Sequence, residues 1–152
     1  MRLTTFTDYC LRVLIYVGSK GDDLATIDEI ATGYGISRSH LMKVVYRLGQ
    51  LGYLTTVRGK GGGMRLARAP DEINLGLVVR QAEDDMVLAE CFIGERGVCR
   101  IEPACVLRNA LDEALKAFLA VLDGYTLADL LAPRAAITKL LGIPDRPGAG
   151  AP

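Results

Sequence analysis

The sequence predicts a mainly α-helical fold with one β-hairpin near the middle of the chain and a long helix towards its C-terminus. Three observations predict this fold. Apolar residues recur with a helical period over most of the chain, a glycine-rich segment with short β-prone flanks interrupts them, and a wide apolar stripe follows residue 104. At 152 residues, the chain is long enough for one compact domain with an oligomerisation element.

A first helix is predicted from a single apolar stripe, and two further helices follow it. The stripe consists of Phe6, Cys10, Val13, Leu14 and Val17. Asp8 points away from this stripe, because two residues turn a helix by about 200°. A capping box from Thr26 to Glu29 begins the second helix. Ser37 is expected to cap the third helix, whose inward residues are Leu41, Val44, Val45, Leu48 and Leu51.

The second and third helices resemble a helix-turn-helix, although the same pattern fits an ordinary helical hairpin. The next segment favours the first interpretation. Residues 53–57 and 64–67 are β-prone and flank the basic, glycine-rich sequence RGKGGG. A helix-turn-helix followed directly by such a hairpin is a winged helix-turn-helix, a DNA-binding domain.

The predicted DNA contacts come from the third helix and from the hairpin tip, or wing. The leading face of the helix would enter the major groove, and the wing would contact phosphate or the minor groove. The candidate DNA-binding residues are Ser37, Arg38, Ser39, His40, Lys43, Arg58, Gly59 and Lys60. We expect His40, the single histidine, to contact DNA or solvent rather than a metal.

Charge is segregated along the chain, although the net charge is zero. Residues 34–68 carry seven basic side chains and no acidic one, whereas residues 71–102 carry eight acidic side chains against three arginines. Segregation of this kind is typical of a nucleic-acid-binding face in a neutral protein. The alternative is a basic face that only contacts solvent.

Three of the four cysteines form the pattern C-x7-C-x5-C at Cys91, Cys99 and Cys105. The chain has no long apolar run and no signal peptide, so we expect a cytoplasmic protein with reduced thiols and no membrane partner. Structural zinc usually needs four ligands and a tighter cysteine pair. An iron–sulfur cluster tolerates the irregular spacing best, while zinc and structural cysteines stay open. Three thiolates would leave one position for a weaker fourth donor.

The second half of the chain is expected to contain three further helices. Asn74 is predicted to cap a helix over residues 75–83, with Leu77, Val78 and Ala82 inward. A long helix from residue 104 is expected to pack against a second copy of itself, and its stripe consists of Leu107, Leu111, Ala114, Leu115, Phe118, Leu119 and Leu122. Thr126 begins another short helix. The chain thus divides into a winged helix-turn-helix domain (1–88), a cluster-binding loop (89–105), dimerisation and C-terminal helices (106–143) and a disordered tail (144–152).

Over about residues 1–143 the sequence resembles the winged-helix iron–sulfur transcriptional repressors. The matching stretches are MRLTTFTDYCLRVLIY, YGISRSHLMKVVYRLGQLGYLTTVRGKGGGMRLA, the three cysteines and FLAVLDGYTLADLL. The resemblance implies a homodimer, an iron–sulfur cluster near the dimer interface, 4Fe–4S in preference to 2Fe–2S, and control of operator DNA binding by the cluster.

Within that family, the first helix, the wing and the segment from Tyr125 resemble the nitric-oxide-sensing branch. In that branch an aspartate from the first helix of the other subunit completes the cluster, and Asp8 occupies the matching position. Another branch has a histidine where this chain has Arg108. The resemblance thus implies a nitric-oxide-sensitive repressor with Cys91, Cys99, Cys105 and Asp8 as metal ligands.

Several alternatives stay open. The seven-residue gap after Cys91 resembles the iron-responsive branch, which would sense iron or cluster supply on the same scaffold. Cys10 rivals Asp8 as the fourth ligand, although its place on an apolar stripe favours a core role, and Asp8 could instead form a surface ion pair with Arg12. A redox or metal-transfer protein is a further hypothesis. No catalytic acid–base or nucleophile constellation is present, so we do not expect an enzyme.

Overall fold

The computed structural model describes residues 2–93 and 99–144. Within these ranges the helices are α1 (Thr5–Ser19), α2 (Ile27–Tyr34), α3 (Arg38–Gln50), α4 (Leu75–Ala82), α5 (Val106–Asp123), α6 (Leu127–Leu131) and α7 (Arg134–Leu141). The strands are β1 (Leu54–Val57) and β2 (Gly63–Leu66), and short 3₁₀ turns occur at Pro70–Glu72, Glu90–Phe92 and Glu102–Ala104. The predicted mainly helical fold is confirmed. Residues 94–98 of the predicted loop and 145–152 of the predicted tail lie outside the described residues.

Helix α1 is the centre of the core, as its apolar stripe predicts. Cys10, Val13, Leu14 and Val17 are each 0% exposed. The helix contacts α3, α4, α6, α7 and β2. Burial of one side of α1 therefore joins the N-terminal domain to the C-terminal helices.

The helix-turn-helix consists of α2 and α3. The predicted capping box is present, with the Thr26 amide donating to Glu29 Oε2 at 2.7 Å and the Glu29 amide donating to Thr26 Oγ1 at 3.2 Å. Gly35, with φ of 66°, ends α2, because a left-handed backbone favours glycine. Of the predicted inward residues of α3, Leu51 is half-buried and the others are buried.

The wing is an antiparallel pair in which Leu54 lies opposite Leu66 and Val57 lies opposite Gly63. Met64 also pairs with Ala25, through N–O distances of 2.9 and 2.7 Å. This second pairing, which the sequence analysis missed, fastens the wing to the segment before α2.

Helix α4 begins at Asn74, whose side chain accepts from the Leu77 amide at 3.0 Å, as predicted. The inward position predicted for Leu77 is wrong, since this side chain is 42% exposed. The 75–83 helix buries its other side, through Leu75, Val78, Val79 and Ala82.

The C-terminal end of α5 is fastened to α4. Arg80 donates to both carboxylate oxygens of Asp123, at 2.6 and 2.7 Å. The Asn74 side chain donates to the Asp123 carbonyl oxygen at 2.7 Å, and the Leu75 amide donates to the Tyr125 carbonyl oxygen at 3.0 Å. Four hydrogen bonds from three residues therefore fix this end of the helix to α4 and its cap.

The predicted apolar stripe of α5 extends over two faces of the helix. The side chains that pack on the protein itself are half-buried, and they include Leu111, Leu115, Phe118 and Leu122. A second face is exposed and consists of Leu107, Ala110, Ala114, Ala117 and Val121. Leu107 and Ala114 therefore belong to the exposed face. The predicted short helix after Thr126 is α6, and α7 follows it beyond Pro133.

In the part of the chain that the structure describes, no helix combines the length and the apolar character needed to span a bilayer.

Replacing Gly63 by alanine is expected to destabilise the fold. A Cβ there would lie 2.6 Å from the Ala25 carbonyl oxygen, a backbone atom of the Ala25–Met64 pairing. Forced shifts in a packed structure cost about 1–3 kcal/mol, so the free energy of unfolding in a urea titration should fall by that amount.

The matched control is Gly49→Ala in α3, where the nearest atom to a new Cβ is 4.0 Å away. Alanine favours a helix over glycine by up to about 1 kcal/mol, so the control should be neutral or stabilising. Equal destabilisation by both variants would contradict the close approach at Gly63.

Candidate DNA-reading surface and cysteine site

The structure places the five predicted residues of α3 together at the start of that helix. Ser37, Arg38, Ser39, His40 and Lys43 are all exposed. Arg38 forms an ion pair with Asp28 of α2. The arrangement presents cationic and hydrogen-bonding side chains on one helix end, as major-groove contact requires.

The prediction that the Ser37 side chain caps α3 is wrong. Ser37 occupies the N-cap position, but its hydroxyl makes no capping bond to the backbone. Instead, Ser37 Oγ lies 2.9 Å from Nδ1 of His40, whose ring centroid is 6.1 Å from that of Tyr9 in α1. Ser37 and Tyr9 thus hold the imidazole in place.

Two exposed residues of α3 were missed by the sequence analysis. Met42 is 58% exposed and Tyr46 is 68% exposed, and they flank Lys43 on the outer face. Their signal in the sequence is a pair of large apolar side chains, four residues apart, on the polar side of an amphipathic helix.

The wing tip carries Arg58, Gly59 and Lys60, all exposed. Gly59 has φ of 103° and Gly61 has φ of 78°, a backbone geometry that favours glycine. The two cations therefore project from a tight turn with little side-chain bulk around it. We call the α3 face and this wing tip the reading surface.

The three clustered cysteines are free and half-buried, whereas Cys10 is free and fully buried. Burial raises the pKa of the Cys10 thiol to about 12, because the charged form loses its hydration. Cys10 thus stays a neutral member of the core. The structure favours the core role for Cys10 over the rival ligand role.

One arginine joins the segments that carry the clustered cysteines. Arg108, in the first turn of α5, donates to Glu102 at 2.8 Å, and its guanidinium carbon lies 5.7 Å from the ring centroid of Phe92. Phe92 follows Cys91 directly, and Glu102 lies between Cys99 and Cys105. Arg108 therefore contacts the side chain that follows Cys91 and a side chain three residues from both Cys99 and Cys105.

The free cysteines are the type of donor that binds an iron–sulfur cluster. The described residues of one chain do not, however, form a complete ligand set. No three cysteine, histidine or carboxylate donors come together in residues 2–93 and 99–144. Free thiols on segments that meet at one arginine are nevertheless the ligands that such clusters require. Asp8 pairs with Arg12 at 2.8 Å instead, which is the alternative ion pair of the sequence analysis.

The fold and the reading surface define a winged-helix transcriptional regulator, and comparison with known proteins agrees. The chain belongs to the Rrf2 family, described as "Iron-dependent Transcriptional regulator", whose model matches residues 3–133. It is therefore a DNA-binding transcriptional regulator and not an enzyme. Membership of this family decides against the redox or metal-transfer hypothesis.

Named relatives and solved structures resemble the chain over most of its length. The HTH-type transcriptional regulator NsrR of Bacillus subtilis is 54% identical over 142 residues, which cover 93% of this chain and 97% of the relative. NsrR of Geobacillus kaustophilus is 51% identical with the same coverage. A putative transcriptional regulator from Listeria innocua has a TM-score of 0.71 at 28% identity, covering 88% of each chain. IscR of T. potens has a TM-score of 0.69 at 25% identity, covering 86% of each.

Alkylation of the metal-free, reduced protein is expected to distinguish Cys10 from the other cysteines. Iodoacetamide reacts with thiolates, so at pH 8 the folded protein should gain three adducts, at Cys91, Cys99 and Cys105, by mass spectrometry. Because burial raises the Cys10 pKa to about 12, raising the pH from 8 to 10 should not add a fourth.

Full unfolding in urea supplies the control, since all four thiols should then react. Modification of Cys10 in the folded protein at a rate close to that of Cys105 would contradict its burial.

Proposed function

We propose that this chain is a cytoplasmic, homodimeric repressor that releases its operator DNA when nitric oxide reacts with a bound iron–sulfur cluster. Cys91, Cys99 and Cys105 hold the cluster, of 4Fe–4S type, and Asp8 of the other subunit supplies the fourth ligand. The observation that carries the proposal is the set of three free thiols, at Cys91, Cys99 and Cys105. Cys105 lies at the N-cap of α5, and the other end of that helix is bonded to the winged helix-turn-helix domain.

The ligand set supports a sensor rather than a structural centre. When bound, the cluster supplies iron that reacts with nitric oxide. Thiolates bind iron more strongly than a carboxylate does, so Asp8 is the ligand that leaves most easily. Its alternative partner, Arg12, lies four residues along α1 at 2.8 Å. An ion pair this exposed contributes only about 0–1 kcal/mol, so Asp8 can exchange between Arg12 and the iron at low cost.

DNA binding uses the reading surface. Residues 1–88 form the DNA-binding domain, with Arg38 and Lys43 on α3 and Arg58 and Lys60 on the wing. Phosphate neutralisation by such side chains supplies most of the affinity. The exposed Met42 and Tyr46 lie on the same outer face as Lys43 and add apolar contact to base edges.

Dimerisation uses the exposed face of α5. Leu107, Ala110, Ala114, Ala117 and Val121 are spaced by three and four residues alternately, the heptad spacing of paired helices. Small side chains at the central positions permit close approach of a second α5. Residues 106–143 would then form the dimerisation region, and the cluster-binding loop, 89–105, lies beside it.

The iron-responsive alternative keeps one supporting observation, because the family description is "Iron-dependent Transcriptional regulator". On that alternative, loss of iron supply rather than nitric oxide empties the site. The protein, the ligands and the reading surface are the same, so only the effect of the two signals distinguishes the proposals.

Nitric oxide is expected to abolish operator binding by the anaerobically purified protein. The protein should be brown and contain iron, and a duplex selected by the protein from a random library should be released on addition of nitric oxide. Mobility shift and iron analysis measure both effects. The triple variant Cys91→Ser, Cys99→Ser, Cys105→Ser should bind no iron and should not respond to nitric oxide.

Two controls make this experiment specific. Asp8→Ala should change the visible absorption of the cluster without dissociating the dimer, whereas Asp28→Ala, a carboxylate of α2, should not. A colourless protein with stoichiometric zinc would sink the proposal. Release by a mild iron chelator but not by nitric oxide would favour the iron-responsive alternative.

Replacing Ala114 by glutamate is expected to dissociate the dimer. The new carboxylate would lie in the middle of the exposed face of α5, where an unpaired buried charge is strongly unfavourable. Sedimentation analysis should show a monomer in place of a dimer.

Lys116→Glu introduces the same side chain on the opposite, polar side of α5, where Lys116 is 74% exposed. This control should remain dimeric. A dimeric Ala114→Glu protein would show that another surface forms the interface.

A further inference from the structure

We propose that Arg108 is a positioning residue for the cluster. Its side chain holds the three cysteine-bearing segments in place, as a clamp, before the cluster binds. The inference rests on the proposed function, since it concerns the same thiols. It assigns a role to a side chain that is neither a ligand nor a DNA contact.

The clamp has two arms that reach different segments. One arm is the ion pair with Glu102, at 2.8 Å, in which the two side chains are 34% and 18% exposed. The other arm is the guanidinium over the Phe92 ring, at 5.7 Å from its centroid. These contacts cross gaps of six and sixteen residues in the sequence, so they join separate parts of the chain. Loss of the Arg108 side chain would therefore remove the contact that links Phe92 to Glu102.

The same side chain lies beside the candidate ligand position. Cys105 and Arg108 line one open groove, together with Glu102 and Asn109. Cys105 sits at the N-cap of α5 and Arg108 is three residues further, a spacing that places two side chains on one helix face. The positive charge of Arg108 therefore borders the groove in which the cysteine thiolates would hold an anionic cluster.

The chemistry of arginine suits both arms at once. Its planar guanidinium donates hydrogen bonds in its plane while its face covers an aromatic ring. Lysine carries the same charge but lacks this geometry. Comparison of lysine and alanine at position 108 therefore separates the contribution of charge from that of the planar clamp.

Hydrogen–deuterium exchange on the metal-free dimer tests the clamp without requiring any cluster. The amides of Phe92 and Ile93 donate within one turn, and those of Ala104 and Cys105 within another. Arg108→Ala should accelerate exchange in both peptides by about tenfold, as expected for loss of an ion pair and a cation–π contact together. Arg100→Ala removes an exposed arginine of the same loop and should leave both peptides unchanged.

Cluster retention tests the consequence in the loaded protein. Arg108→Ala should shorten the half-life of the visible absorption under an iron chelator by about tenfold and should alter the visible circular dichroism of the cluster, which reports its surroundings. Arg108→Lys should restore only part of the half-life. Phe92→Leu should add little to Arg108→Ala, because both variants break the same contact.

The outcomes are distinguishable from those of the proposed function. Unchanged exchange in both peptides of the metal-free Arg108→Ala protein overturns the clamp, whatever metal the protein binds. Full rescue by Arg108→Lys, or additive effects of the Phe92 and Arg108 variants, also overturns it. If wild-type protein takes up no iron but exchange accelerates as expected, the clamp stands and the cluster proposal falls.

Discussion

The burial of one side of α1 is the constraint on which the rest of the structure depends. Cys10, Val13, Leu14 and Val17 have no exposed surface, and interiors packed to this density transmit displacement rather than absorb it. Asp8 points away from this buried side, whereas the neighbouring Tyr9 is partly buried against the core and contacts His40 of α3. The candidate cluster ligand and the reading surface are therefore held by the same rigid helix, one residue apart on it.

Basic and acidic residues are unevenly distributed along the chain, although the net charge is zero. The basic residues gather on α3 and the wing, where most are exposed, while the acidic residues are concentrated in the segment that carries the thiols. Salt largely screens surface charges that are more than about 10 Å apart, so the reading surface can attract phosphate although the net charge is zero. Arg108 lies just C-terminal to the acidic segment, and its partners Glu102 and Phe92 both lie within it.

Local sequence patterns predicted most of the helices and strands, whereas they could not predict contacts between residues that are distant in the sequence. The period of apolar residues identified α1, and a capping box identified α2, because both signals lie within one turn or stripe. The pairing of Ala25 with Met64 and the contact of Arg108 with Phe92 join residues 39 and 16 positions apart, for which one sequence has no signal. Leu77 was misassigned, and the α5 stripe was not divided into its two faces, because periodicity shows that a face is apolar and not which neighbour covers it. For the cysteines, sequence spacing suggested the chemistry, and the structure buries Cys10 as its place on the apolar stripe had favoured.

The bonds that hold the C-terminal end of α5 have a mechanical consequence. Its 18 residues make a rod about 27 Å long at 1.5 Å per residue, anchored at Asp123 and bearing a thiol at its opposite tip. A tilt of one degree about the anchor displaces that tip by about 0.5 Å over this length. Under the proposed function, a displacement of about 0.5 Å at the cysteine end of α5 therefore corresponds to a tilt of about one degree relative to the reading surface.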